Sequence, residues 1–89
     1  MKEGQKMTKE EIDVKLEVIK ESIIKQTNIK EVRDDMNFRE DYGLDSLDFL
    51  IILSDAEDEF GIEIDNEEAA GLKNFKDLRE YVYSKFGAI

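Results

Sequence analysis

Ile12, Leu16, Ile19 and Ile23 recur at intervals of four, three and four residues, which lines them up as one stripe of an amphipathic helix. Thr8 and Glu11 have capping-box spacing just ahead of the stripe, and Thr27 and Asn28 weaken the helix behind it; together they predict a helix from Lys9 to Gln26. A second helix is predicted from Ser46 to Phe60. Asp45 is a good N-cap, Asp48 suits the positive end of the helix dipole, and Gly61 is a good terminator. Its run Phe49-Leu50-Ile51-Ile52-Leu53 would also suit a buried strand, but length and flanking caps favour helix. Asp65 and Glu68 repeat the capping spacing before Gly71, predicting a short helix over Asn66–Ala70. Asn74 caps a fourth, Phe75–Phe86, in which Phe75, Leu78, Val82 and Phe86 share a face.

Residues 28–45 form a long connection that needs anchors in a compact domain. Ile29, Val32, Met36, Phe38, Tyr42 and Leu44 are the candidates, with a helical turn near Phe38–Asp41 and a tight or positive-φ turn at Gly43. Only Gly61–Asp65, with Ile62 and Ile64, alternates like an extended strand. The fold class is therefore all-α: a small four-helix bundle of three long helices and a short third one, with a long loop between the first two.

The second helix is apolar on two sides. Phe49, Ile52, Leu53, Ala56 and Phe60 form the core stripe, while Leu47, Leu50 and Ile51 lie towards the other side, near Ser46. Either neighbouring helices bury both sides, or the second is a partly exposed patch ringed by acids, the composition of a docking surface.

A chain of 89 residues suits one small domain, residues 8–89, behind a leader of residues 1–7. The opening MKEGQK lacks the apolar stretch of a signal peptide and reads as flexible; Met7 is an alternative start. The chain contains no Pro, Cys or His. Long helices are thus uninterrupted. A disulfide framework, a thiolate zinc site and the usual nucleophile–base pairs are ruled out, so an enzyme is the least favoured class.

A net charge of −10 argues against nucleic acid and anionic membrane as partners. No apolar run approaches the roughly 20 residues of a membrane span. From Asp45 to Glu68 there are ten acids and no Lys or Arg, whereas the first thirty residues carry seven Lys against six acids. The one-sign block makes a field that steers a basic partner. Neither Asp34-Asp35-Met36-Asn37 nor Asp65-Asn66-Glu67-Glu68 matches an EF-hand loop, so no dedicated metal site is expected.

Ser46 alone is an ordinary helix N-terminal serine. At such a position the first backbone N–H groups lack partners and favour a phosphate, while the neighbouring carboxylates oppose one.

The stretch Asp41-Tyr42-Gly43-Leu44-Asp45-Ser46-Leu47-Asp48 resembles the attachment-site motif of acyl carrier proteins, with its Gly-x-Asp-Ser-Leu core. The resemblance continues through Glu57-Asp58-Glu59-Phe60-Gly61-Ile62-Glu63-Ile64 and Asp65-Asn66-Glu67-Glu68-Ala69, covering about Thr8 to Phe86. It implies the four-helix fold and a non-catalytic carrier, cytoplasmic and monomeric, in fatty acid, lipid or polyketide-type biosynthesis. It implies that a phosphopantetheinyl transferase esterifies Ser46 from coenzyme A. The 4'-phosphopantetheine arm then carries acyl groups as thioesters. Acyl-activating and acyl-transferring enzymes are expected to bring basic docking patches to Asp45, Leu47, Asp48, Leu50, Ile51, Ser54, Glu57, Asp58, Glu67 and Glu68.

Two departures stand out. The family often has an acid where this chain has Ile51, and an apolar residue where it has Ser54, which suggests a specialised carrier. Phe49 is bulkier than the small residue often found there and narrows access to the interior. A D-alanyl or aminoacyl carrier shares the motif, and an acidic helical interaction module without a prosthetic group is the alternative from another class.

Overall fold

Each helix of this chain begins where a side chain accepts from an otherwise orphaned backbone N–H. The computed structural model describes residues 7–88 and contains α1 (Lys9–Gln26), α2 (Ser46–Phe60), α3 (Asn66–Ala70) and α4 (Phe75–Phe86). The Thr8 hydroxyl accepts from the Glu11 N–H at 3.1 Å, and the Thr8 N–H donates to the Glu11 carboxylate at 3.0 Å. Asp65 and Glu68 form the same reciprocal box at α3. Asp45 and Asn74 accept from the N–H groups of Asp48 and Asp77, at 2.9 and 2.8 Å. Each such cap contributes about 1 kcal/mol. At the far end of α2, Gly61 takes a left-handed conformation (φ 64°) and its N–H donates to the Glu57 carbonyl at 2.8 Å.

α1 packs against both α2 and α4. Its stripe Ile12, Leu16, Ile19 and Ile23 is buried in one core with Ile52, Leu53, Ala56 and Phe60 of α2 and Phe75, Leu78 and Val82 of α4. Burying a side chain of this size contributes about 1.5–3 kcal/mol. Two members of the expected stripes sit at the edge instead. Phe86 is half-buried against Phe60, with ring centroids 6.0 Å apart, and Phe49 is half-buried against Phe38 at 5.9 Å.

The long connection is anchored much as its apolar residues suggest. Val32, Phe38 and Leu44 are buried, and Ile29 and Tyr42 pack against the core. Met36 is not part of that packing. There the backbone does the anchoring: the Phe38 N–H donates to the Lys73 carbonyl at 2.9 Å, the Lys76 N–H donates to the Asp34 carbonyl at 3.0 Å, and Asn37 bridges Asn74. A helical turn follows, with the Asp41 N–H donating to Asn37 and the Gly43 N–H to Arg39, both at 3.0 Å.

A polar clamp ties α4 to α1 and to the long connection. Arg79 of α4 donates to Asp34 of the connection and to Asp13 of α1, Lys20 pairs with Asp34 at 2.9 Å, and the Tyr83 hydroxyl donates to Asp13 at 2.6 Å. The leader expected over residues 1–7 lies outside the described residues except for Met7, which packs partly buried against the core. No helix among the described residues is long and apolar enough to cross a membrane.

Candidate functional site at the start of the second helix

Three consecutive backbone choices bring Ser46 to the surface. Gly43 turns the chain at φ +69°, a conformation that costs an L side chain about 1–2 kcal/mol. Leu44 is buried and pins the turn to the core. Asp45 stays extended as the N-cap, so Ser46 is the first helical residue, and it is exposed.

The hydrogen bonding leaves specific donors open. The Asp48 N–H is taken by the Asp45 carboxylate, and the Phe49 N–H by the Asp45 carbonyl at 3.0 Å. Among the described residues the N–H groups of Ser46 and Leu47 have no acceptor, and neither does the Ser46 hydroxyl. Two partially positive donors thus lie beside an exposed hydroxyl, where an attached phosphate finds favourable partners. Asp45 and Asp48 oppose that charge but are themselves part of the cap.

The other side of α2 is open. Leu47, Leu50 and Ile51 are 70%, 57% and 41% exposed, so neighbouring helices do not cover this apolar patch. Ser54 and Asp58 are exposed on the same helix. Glu57 and Glu68 are engaged within the fold. Glu57 accepts from the Ile64 N–H at 2.8 Å, and Glu68 caps α3 and accepts from the Tyr81 hydroxyl at 2.7 Å. Glu67 is exposed on α3. The negative potential between these elements is felt by Tyr81, whose hydroxyl is held well above the ordinary phenol value by burial, by its bond to Glu68, and by the charges of Glu68, Asp65 and Glu57.

One turn beyond Ser46 lies a cleft of about 340 Å³ whose walls include Phe38, Arg39, Phe49, Ala69, Leu72 and Lys73. The Arg39 guanidinium sits 5.8 Å from the Phe49 ring centroid. Sequence patterning singled out Phe49 but neither cation. Arg39 reads as an ordinary loop charge, and its proximity to Lys73 depends on the long-range hydrogen bond between Phe38 and Lys73. No group of three or more His, Cys, Asp or Glu side chains among the described residues is placed to hold a metal ion. An exposed hydroxyl can take the ester bond and the unpaired helix donors favour its phosphate, so the site fits 4'-phosphopantetheine.

The family model described as "Phosphopantetheine attachment site" matches residues 17–82. An acyl carrier protein of Nitratidesulfovibrio vulgaris is 38% identical over 71 residues, covering 78% of this chain and 93% of that protein. One from Solidesulfovibrio magneticus is 36% identical over 73 residues, covering 80% and 94%, and one from Wolinella succinogenes is 38% identical over 66 residues, covering 72% and 87%. The match runs through most of the described helices and through the turn that presents Ser46, and the chain belongs to the acyl carrier protein family of phosphopantetheine-attachment proteins.

Proposed function

We propose that Ser46 bears the 4'-phosphopantetheine arm and that residues 8–89 act as one monomeric, non-catalytic carrier unit. The observation that carries this reading is the exposed Ser46 hydroxyl at the first position of α2, beside two N–H groups without acceptors. The arm supplies the thiol, absent from a chain without cysteine, on which acyl groups travel as thioesters. A reducing, cytoplasmic setting keeps such a thiol free.

The chain's own residues present and recognise. Asp45 fixes the helix start and so places Ser46 at its first position. Leu47, Leu50 and Ile51 offer an apolar contact that a partner can desolvate. Asp45, Asp48, Asp58 and Glu67 supply the field that steers basic patches of a phosphopantetheinyl transferase and of acyl-activating and acyl-transferring enzymes. Tethering raises the effective concentration of cargo at whichever enzyme has docked. Ile51 and Ser54 give the docking face a pattern of its own, which supports a specialised carrier.

The test is intact mass after incubation with coenzyme A and a broad-specificity phosphopantetheinyl transferase. The expected result is one arm's increment on the wild type and none on Ser46→Ala. An increment on the variant would mean that another residue is modified. No increment on either protein would favour the acidic interaction module.

A further inference from the structure

The cleft beside Ser46 brings together two cations that the sequence keeps far apart. The Phe38 N–H donates to the Lys73 carbonyl at 2.9 Å, so the backbone segments bearing Arg39 and Lys73 lie side by side. Both residues line the cleft, and among the described residues neither forms an ion pair. A bound anion would be attracted by both cations of the lining. Glu40 also lines the cleft, so its lining carries two cations against one carboxylate and keeps a positive balance. Asp77 approaches Lys73 through the Lys73 backbone N–H, at 3.0 Å, rather than through its ammonium group.

Much of the cleft's lining is apolar. Phe38, Phe49, Ala69 and Leu72 contribute it, and the Phe38 and Phe49 rings pack together at 5.9 Å where the cleft meets the bundle core. Arg39 lies over the Phe49 ring, an arrangement that attracts a cation to the ring and fixes both groups. The site thus combines a short apolar trough with a cationic rim. Every charged side chain from Asp45 to Glu68, along α2 and α3, is acidic. A carboxylate tethered at Ser46 would be repelled along those helices and attracted at this rim.

From this juxtaposition we propose that the cleft receives arm-borne acyl cargo ending in a carboxylate, with Arg39 and Lys73 as the residues that select it. Phe49 keeps the cargo in the surface trough and out of the core. This inference rests on attachment of the arm at Ser46, and its test separates the two. The arm is loaded by a phosphopantetheinyl transferase from octanoyl-coenzyme A, from its ω-carboxylated counterpart suberoyl-coenzyme A, or from coenzyme A itself. Intact mass confirms loading.

Backbone amide shifts are then compared at Arg39, Phe49, Leu72 and Lys73, and thioester hydrolysis is measured relative to the same acyl-coenzyme A free in solution. The carboxylated cargo is expected to shift these amides more than octanoyl does. It should also be protected about two- to fivefold more, the range an exposed ion pair supports. The double variant Arg39→Gln with Lys73→Gln should erase that difference without preventing loading. Equal effects of the two cargoes, or a difference that survives in the double variant, overturn the proposal. The same shifts with the bare arm would assign the cations to its phosphodiester and also overturn it. Absence of any mass increment removes the attachment reading and this inference with it.

Discussion

Arg79 and Asp34 meet as a fork: the guanidinium Nε and Nη2 donate to the two carboxylate oxygens at 3.1 and 3.2 Å. The third nitrogen, Nη1, reaches Asp13 at 2.6 Å. One side chain of α4 therefore holds the long connection and α1 together, and Lys20 closes the arrangement from α1 at 2.9 Å. Asp34→Asn keeps the shape but removes the charge on which both cations converge. Because Asp34 is partly exposed, the expected loss is discounted to on the order of 1 kcal/mol. In a domain of this size that lowers Tm by about 4–8 °C. A thermal melt of the variant that matches the wild type would show the clamp to be energetically idle.

The same carboxylate sets a pH dependence. Burial works against ionisation of Asp34, but hydrogen bonds and charge from Lys20 and Arg79 outweigh it and hold the group below its ordinary value. A depressed folded-state value means that the folded chain binds its proton less readily than the unfolded chain. The stabilisation is therefore complete above the usual aspartate range, about pH 4, and disappears as pH falls through the folded-state value. Wild type minus Asp34→Asn should give a constant Tm difference from neutral pH down to the onset of that range and a vanishing one below it. With no histidine in the chain, a difference that already shrinks between pH 7 and pH 6 would contradict this assignment.

How much of this was readable beforehand depended on sequence distance. Thr8 and Glu11, Asp45 and Asp48, Asp65 and Glu68 are local pairs, and their spacing located the helix starts directly. The stripe Ile12-Leu16-Ile19-Ile23 and the exposed hydroxyl of Ser46 were legible for the same reason. Pattern alone left the exposure of Leu47, Leu50 and Ile51 open, because an apolar helix face looks the same whether or not a neighbour covers it. The Arg79 clamp and the Arg39–Lys73 rim were invisible, since each joins residues brought together only by packing. Phe49 shows the limit within one helix: its stripe position implied the core, but as the first member it sits at the bundle's edge against Phe38.

Gly43 gives a test of the turn that presents Ser46. Its φ is +69°, and a Cβ placed there meets nothing within 4 Å, so substitution costs backbone strain without a clash. Gly43→Ala should lose about 1 kcal/mol, while Gly43→Asn should lose less because Asn tolerates the left-handed region. Urea unfolding measures both, with an unchanged m-value expected. An Ala variant as stable as the wild type would show that the turn can relax to negative φ.

The docking face yields the sharpest functional prediction. Ile51 and Ser54 are exposed on α2, so Ile51→Glu with Ser54→Met should change stability by no more than about 0.5 kcal/mol for each substitution. The added carboxylate would extend the acidic field towards a basic patch, and the methionine would restore an apolar contact. If the native pair makes this a specialised carrier, the wild-type protein, once loaded, should serve standard fatty acid elongation enzymes poorly. The double variant should then raise kcat/KM by up to about fivefold, the span of one exposed charge pair. Most of that gain should vanish at high salt, because a rim charge acts mainly by steering encounter. Wild-type turnover equal to that of those enzymes' own carrier would remove the specialist reading, since the replaced acid would then have no part in docking.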